Sequence, residues 1–420
     1  MAFLEAAIFS LILSFATAQQ IGTSVPERHP PLTTYKCTNA GGCKAVNTSV
    51  VQDALARSLH SITSPEISCN VGSAPCETAE ACAQNCALEG LDYSIRGIQT
   101  SGDALKLNQW RKDANGRTVT VSPRVYLVAA DGKNYENVTL LGNEFTFDVE
   151  LSKLPCGMNG ALYLSDMELD GGRKASGGLN AAGAEYGTGY CDAQCPVLPF
   201  VNGAANTAKL GACCNEMDIW EANSRSTVYT PHPCRAERIR TCATELDCGQ
   251  PSGYCDKWGC SYNPYAHGHR DFYGRGPENK VNTLLPFTVI TQFHTSPTTG
   301  ALANITRLYI QNGNVISNTV TTAAGKTTDN INDPYCNATA TWTQQRGGIE
   351  VMGQALARGM VVIFSLWADD GGFMTWMDSG NSGPCNATEG DPRQIVQHTP
   401  DASVTFSNIR WGEIGSTFKQ

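Results

Sequence analysis

Short apolar runs that alternate with polar positions, punctuated by Gly, Asn, Asp and Pro, recur along most of the chain. Residues 125–128, 135–141, 144–151, 161–167, 288–294, 305–311, 360–367 and 403–411 carry this period-two pattern and predict β-strands. The helical period is rare, and predicts helices only over 49–60, 78–87 and 348–357. Many strands with little helix imply an all-β sandwich of two antiparallel sheets, curved enough to form a groove. No internal repeat and no Ser/Thr/Pro-rich linker divides the sequence, which predicts a single domain over 19–420. Residues 1–18 stand apart. They form an apolar run ending in Ala16-Thr17-Ala18 and read as a secretory leader cut before Gln19, with an atypical start that lacks Lys or Arg and carries Glu5. No later stretch approaches twenty apolar residues, so a secreted protein without a membrane partner is expected.

Composition narrows this further. With 41% hydrophobic residues the chain is not disordered, and its 41 Gly have no three-residue period that would indicate collagen. The 39 acidic against 30 basic residues would repel phosphates, which argues against a nucleic-acid partner. All 18 Cys follow the leader, and an even count in an oxidising compartment predicts nine disulfides. A zinc cluster is the competing reading of Cys191-x-x-x-Cys195 or of the run from Cys242 to Cys260. The absence of His at ligand spacing argues against it, so neither metal nor cofactor is expected. Acceptor sequons at Asn47, Asn137, Asn304, Asn337 and Asn386 fit secretion and predict surface positions.

The candidate chemistry lies in Cys213-Cys214-Asn215-Glu216-Met217-Asp218-Ile219-Trp220-Glu221-Ala222-Asn223. On a strand, Glu216 and Asp218 share a face, and unbroken alternation would put Glu221 on the other. A β-bulge between Asp218 and Glu221 would restore parity and aim three carboxylates into one groove. The outer pair would then stand about 13 Å apart at Cα, leaving roughly 5 Å between carboxyls, the spacing of a retaining glycosidase. The alternative is a solvated strand face. Against that, Met217, Ile219 and Trp220 read as core, and the adjacent Cys213 and Cys214 point oppositely and should bond different partners.

Glu-Met-Asp-Ile-Trp-Glu-Ala-Asn, followed by Thr230-Pro231-His232-Pro233-Cys234, closely resembles the active strand of glycoside hydrolase family seven, the fungal secreted cellulases. The resemblance extends to Leu32-Thr33-Thr34-Tyr35-Lys36-Cys37, to Gly187-Thr188-Gly189-Tyr190-Cys191-Asp192-Ala193-Gln194-Cys195 and to Phe406-Ser407-Asn408-Ile409-Arg410-Trp411-Gly412, and so covers nearly the whole mature chain. It implies a concanavalin-like β-jelly-roll with a long cleft for a β-1,4-glucan and a retaining double displacement. By the same resemblance, Glu216 is the nucleophile, Glu221 the general acid/base and Asp218 a helper that positions Glu216. Clustered negative charge should raise Glu221 while hydrogen bonds keep Glu216 ionised. His232 matches a family histidine near the acid/base, and a satisfied loop histidine is the other reading. Trp367 and Trp376 match tryptophans lining the substrate path. Tyr163, Tyr190, Asp192, Gln194 and Arg124 match polar positions around the centre.

Departures from the family's exo-acting members point to an endo-acting monomer. Ala56 and Ser58 replace two entrance tryptophans, Ala266 replaces a product-side arginine, and the segments 202–213 and 379–385 are shorter than the roof loops of those members. The cystine-rich run from Cys242 to Cys260 is retained and could cover part of the cleft, and no binding module is expected after Gln420. Three readings stand: an endo-β-1,4-glucanase, a processive cellobiohydrolase, and a glycan-binding sandwich without activity. The intact acidic triad speaks against the last, and loop lengths separate the first two.

Overall fold

The computed structural model describes residues 20–249, 251–323 and 325–419, so the expected leader at 1–18 lies outside the described residues. Eleven strands carry the architecture. They are β1 (Pro31–Thr38), β2 (Gly42–Gln52), β3 (Arg124–Val128), β4 (Asn143–Glu150), β5 (Met158–Ser165), β6 (Glu216–Ala222), β7 (Thr227–His232), β8 (Phe287–Thr295), β9 (Leu302–Gln311), β10 (Val361–Ala368) and β11 (Ser403–Glu413). Hydrogen bonding runs in one continuous order, β7-β6-β5-β10-β3-β2-β1-β11-β4-β8-β9. Aromatic contacts between β6 and the strands β4, β8 and β9 show that this long ladder doubles back on itself as two layers. The first six strands of that order form the floor of the cleft, about 24 Å across at the usual strand spacing.

The core between the layers follows from alternation. Trp220, fully buried on the back of β6, meets the edges of Phe147, Phe287 and Tyr309 with ring centroids 6.0, 5.9 and 6.5 Å away. Seven of the eight strands predicted from period two are present, with boundaries moved by a few residues at most. The exception is 135–141. Tyr135, Val138 and Leu140 are buried without strict alternation, and their N–H groups donate to Leu169 and to Met360 and Leu356 at the end of the helix Gly348–Arg358, so no single strand pairs with them. This stretch is therefore an irregular connection that makes only single bridges.

The helix predicted at 49–60 is also absent. β2 runs through Gln52, a short 3-10 turn follows at Ala54–Ala56 with the Asp53 side chain accepting from Leu55 N–H, and a strand follows at Leu59–Ser61. Val50 packs into the inter-layer core and Val51 into the apolar cluster on the cleft side, so the strand is buried on both faces and loses its period-two signature. The helices at Ala79–Asn85, capped by the Thr78 hydroxyl, and at Gly348–Arg358 match expectation.

All 18 Cys are paired, in nine disulfides. Cys191–Cys214, Cys195–Cys213 and Cys242–Cys248 use the sulfurs that the zinc reading would have needed. Cys213 and Cys214 do bond different partners, as their opposite directions require. Of the sequon asparagines, Asn47, Asn137, Asn337 and Asn386 are exposed, whereas Asn304 is half-buried on β9, where it pairs with Asn332. Among the described residues no helix is long and apolar enough to cross a membrane.

The expected bulge is present. Asp218 pairs with Thr230 and Glu221 with Val228, so β6 spends three residues where β7 spends two, and the ladder to β5 shifts at the same place. A bulge frees a backbone carbonyl, and here Arg307 of β9 donates to the carbonyl of Ile219 through the core. Arg307 is 1% exposed, with its guanidinium 4.3 Å from the Tyr229 ring centroid and Nε donating to Thr291 Oγ1 at 3.1 Å. Replacing it with Met leaves the Ile219 carbonyl buried and unpaired. Arg307→Met is expected to lower unfolding free energy by about 2–4 kcal/mol and to reduce kcat, because Glu221 loses its aim. Unaltered denaturant midpoint and unaltered turnover would show that the bulge does not need this support.

Candidate active site

One cleft of about 830 Å³ crosses the six-strand floor. Each floor strand contributes to it: Gln52 from β2, Arg124 from β3, Ser365 and Trp367 from β10, Tyr163 from β5, Glu216, Asp218 and Glu221 from β6, and Thr230 and His232 from β7. Tyr190, Asp192, Gln194 and Trp376 complete the set, so every catalytic and substrate-binding residue proposed from the sequence lies on this one surface.

Because of the bulge, Glu216, Asp218 and Glu221 all face the cleft, while Met217, Ile219 and Trp220 are fully buried in the core behind them. Glu216 Oε2 accepts from the Ala193 N–H at 3.0 Å. Ala193 sits between Cys191 and Cys195, whose bridges to Cys214 and Cys213 hold it against the root of β6. Glu221 Oε1 accepts from the Asn159 side-chain amide at 2.9 Å, and Asn159 Oδ1 in turn accepts from the Ala222 N–H. Asn159 had no local signal in the sequence, since only the β5–β6 register brings it here.

His232 stands opposite Glu216 on β7. Its Nε2 lies 3.0 Å from Asp218 Oδ2 and its Nδ1 lies 2.9 Å from the Asp256 carbonyl. Burial opposes a charged ring, but the hydrogen bond and charge of Asp218, with help from Glu216, raise its pKa to about 10. His232 is therefore an imidazolium donating from both nitrogens, paired with Asp218 inside the site, and it is not an isolated loop residue.

Burial is the main force on the two outer acids, and Asp218 adds to it. Together they raise Glu221 to about 8, with His232 and the Asn159 amide pulling the other way. The expectation that hydrogen bonds would keep Glu216 low is not met. Burial, Asp218 and Asp192 raise it well above the ordinary carboxylate range, against the pull of His232 and of the single Ala193 N–H. Asp218 and His232 act on both outer carboxyls, so the cluster titrates as a set rather than residue by residue.

The other polar positions form a chain. Asp53 Oδ2 accepts from Arg124 Nε at 2.8 Å and from the Tyr126 hydroxyl at 2.5 Å. The Arg124 guanidinium lies over the Tyr190 ring, 3.6 Å from its centroid. Tyr190 donates to Asp192 Oδ2 at 2.7 Å, so its oxygen accepts from the Tyr163 hydroxyl at 3.1 Å. Asp53 carries no motif of its own in the sequence, where it is only a charge three residues before the departed entrance position Ala56. The side-chain amide of Gln194 donates to the Lys257 carbonyl at 2.7 Å and so ties the cystine-rich run to the cleft wall. Trp376, 47% exposed, stands on the short helix Thr375–Asp378, which is held where Asp378 accepts from Gly157 N–H and the Asn223 amide. Leu55 and Ala56 form the β2 end of the cleft without an aromatic ring, and Ala266 is exposed and outside the lining. Lys257 and Trp258 do line it, so the retained cystine-rich run forms part of one wall.

Comparison with known proteins places this arrangement. Endo-β-1,4-glucanase celB of Emericella nidulans is 52% identical over 430 aligned positions, covering 98% of this chain and 98% of that protein. The native endocellulase EGI structure from Humicola insolens superposes with a TM-score of 0.89 at 46% identity, covering 95% of this chain and all of that one. A cellobiohydrolase of Daphnia pulex superposes with a TM-score of 0.87 at 34% identity and the same coverage. The sequence profile described as glycosyl hydrolase family 7 matches residues 21–418, which takes in the bulged acidic strand, its cystine anchors and every floor strand of the cleft, and the chain belongs to that family.

Proposed function

We propose that this protein is a secreted, monomeric endo-β-1,4-glucanase that cuts internal bonds of cellulose and related β-glucans with retention, as one catalytic domain without metal or cofactor. The observation that carries the reading is the bulge in β6, which turns Glu216, Asp218 and Glu221 onto one wall of an extended cleft. Glu216 attacks the anomeric carbon and Glu221 donates its proton to the leaving oxygen. Glu221 then takes a proton from the water that releases the glycosyl group. Asp218, paired with the His232 imidazolium, orients Glu216 and supports the charge that develops there. Trp367 and Trp376 stack on sugar faces, and Arg124, Tyr163, Tyr190, Asp192 and Gln194 bind their edges.

The endo mode rests on what the cleft lacks. Leu55 and Ala56 give the β2 end no indole to draw a chain forward, and Ala266 offers no cation to hold product. The names of the celB relatives and the higher identity to the endocellulase than to the cellobiohydrolase favour the same reading. Only the wall formed by Lys257 and Trp258 favours a cellobiohydrolase, since it narrows one side.

Glu216→Gln is expected to lower turnover on the order of a thousandfold or more while leaving binding. Glu221→Gln should cripple cellulose hydrolysis and yet retain the glycosylation burst on an aryl glycoside with a good leaving group, which needs no acid. Near wild-type activity of folded Glu216→Gln, or loss of that burst in Glu221→Gln, would overturn the roles.

The pH dependence follows from the raised carboxyls. Glu221 loses its proton around pH 8, and Glu216 must be ionised, so activity should form a bell with its maximum below neutrality and its alkaline limb half complete near pH 8. Groups whose folded pKa is raised favour the folded state at low pH, and this contribution is lost as pH rises through the folded value. The melting midpoint should accordingly fall between pH 5 and 8, and less steeply in Glu221→Gln. A maximum above pH 8, or parallel stability profiles, would contradict this electrostatic account.

On soluble carboxymethyl cellulose the viscosity should drop rapidly, with few reducing ends formed per unit of loss. Cellobiose dominating from the first time point, with little loss of viscosity, would favour the cellobiohydrolase.

A further inference from the structure

We propose that Trp258 is a sugar-stacking platform for the leaving-group half of the glucan and, in the reverse direction, for an acceptor sugar. The proposal deepens the retaining-glycosidase reading and rests on it.

Strand order supplies the ruler. From the acids on β6 the floor extends four strand steps toward β2, about 19 Å, but only one step, about 5 Å, to β7. Beyond β7 the lining continues with Lys257, Trp258 and Ser261. On this side the short helix that carries Trp376 packs against Val228 of β7, and Trp258 adds a second indole from the cystine-rich wall.

Trp258 is 72% exposed, more than any other large hydrophobic side chain among the described residues. The turn beneath it is nonetheless fixed. Cys255 and Cys260 bracket it with bridges to Cys234 and Cys336. Gln194 holds the Lys257 carbonyl, and Trp258 N–H donates to Asp256 Oδ1 at 3.2 Å. Gly259 takes φ +68°, and a Cβ there would lie 2.3 Å from Thr230 Cγ2 and 2.6 Å from His232 Cε1, so the turn seats directly on the histidine that pairs with Asp218. A large apolar ring carried into water on a fixed turn beside a reaction centre gains little in folding and offers its face to a pyranose ring. Water reaches the glycosyl-enzyme only after the leaving group has gone, so the shorter and weaker arm suits the half that departs first.

β-Cellobiosyl fluoride separates the two arms, because its leaving group occupies no sugar position. The C–F bond breaks as the bond from C1 to Glu216 forms and fluoride leaves. The hydroxyl of water or of added cellobiose then attacks C1, its proton passes to Glu221, and the Glu216 carboxylate is freed. The ratio of transfer to hydrolysis, measured in wild type, Trp258→Ala and Trp258→Phe, reads acceptor binding alone. Trp258→Ala is expected to lower that ratio about two- to tenfold and Trp258→Phe to keep most of it, with melting midpoints within a degree of wild type. An unaltered ratio in Trp258→Ala overturns the platform, including the case in which transfer and hydrolysis fall together. If the cellobiose first released from the fluoride is the α-anomer, the retaining reading falls and the leaving-group assignment with it.

Discussion

The contact on which the active strand depends is made on its far side. Without the Arg307 donation, the bulge in β6 would bury an unpaired carbonyl at Ile219, and strict alternation would be the lower-energy register. Strict alternation would send Glu221 into the core. A guanidinium drawn from the opposite layer and lying over the Tyr229 ring therefore decides which way a carboxyl on the cleft side points. The packing around it is correspondingly aromatic. Trp220, Phe147, Phe287 and Tyr309 form a wall of edge-on rings that gives the buried cation electron-rich surfaces in place of a carboxylate. A carboxylate partner there would fix the cation more tightly and compete with the carbonyl for its hydrogens.

On the cleft side the problem is reversed, since there are too many acids for the space. Glu216, Asp218, Glu221 and Asp192 converge in the depth of the cleft, and the protein responds with one imidazolium, one guanidinium above Tyr190 and a few oriented N–H groups. Burial, together with acid charge that those cations do not fully compensate, is why Glu216 and Glu221 both hold protons more tightly than free carboxyls do. The fold thereby retains some unfavourable electrostatic energy, and the reaction uses it: a proton bound too tightly for structure is available to a departing oxygen. Asp53 plays a quieter part by neutralising Arg124 from below, so that the cation stays flat on the tyrosine.

Much of this was legible from residue order. Alternation locates the regular strands, and the parity of Glu216, Asp218 and Glu221 demands the bulge that β6 contains. The adjacent cysteines announced two separate anchors. What stayed hidden depends on contacts distant in sequence. Val50 and Val51 read as helical because both faces of β2 are buried, a fact set by strands far along the chain. Tyr135, Val138 and Leu140 read as a strand because local apolarity does not reveal that a loop and a helix end accept their hydrogen bonds. The ionisation of Glu216 was misjudged for the same reason, since burial and the charge of Asp192 outweigh its one visible donor. Trp258 escaped notice because a single indole inside a cystine-rich run carries no pattern until the turn beneath it is seen.

The pairing of Cys191 with Cys214 and of Cys195 with Cys213 bears on how the protein matures. Four cysteines can pair in three ways, and the alternatives exchange partners that lie on opposite sides of one strand. Either exchange would move the segment carrying Ala193 and take its N–H away from Glu216. All four sulfurs are buried in the clusters behind the acidic strand, so the same exchange would also disturb the packing there. Correct oxidation and a correctly placed nucleophile are thus one requirement, set by which way two neighbouring sulfurs point.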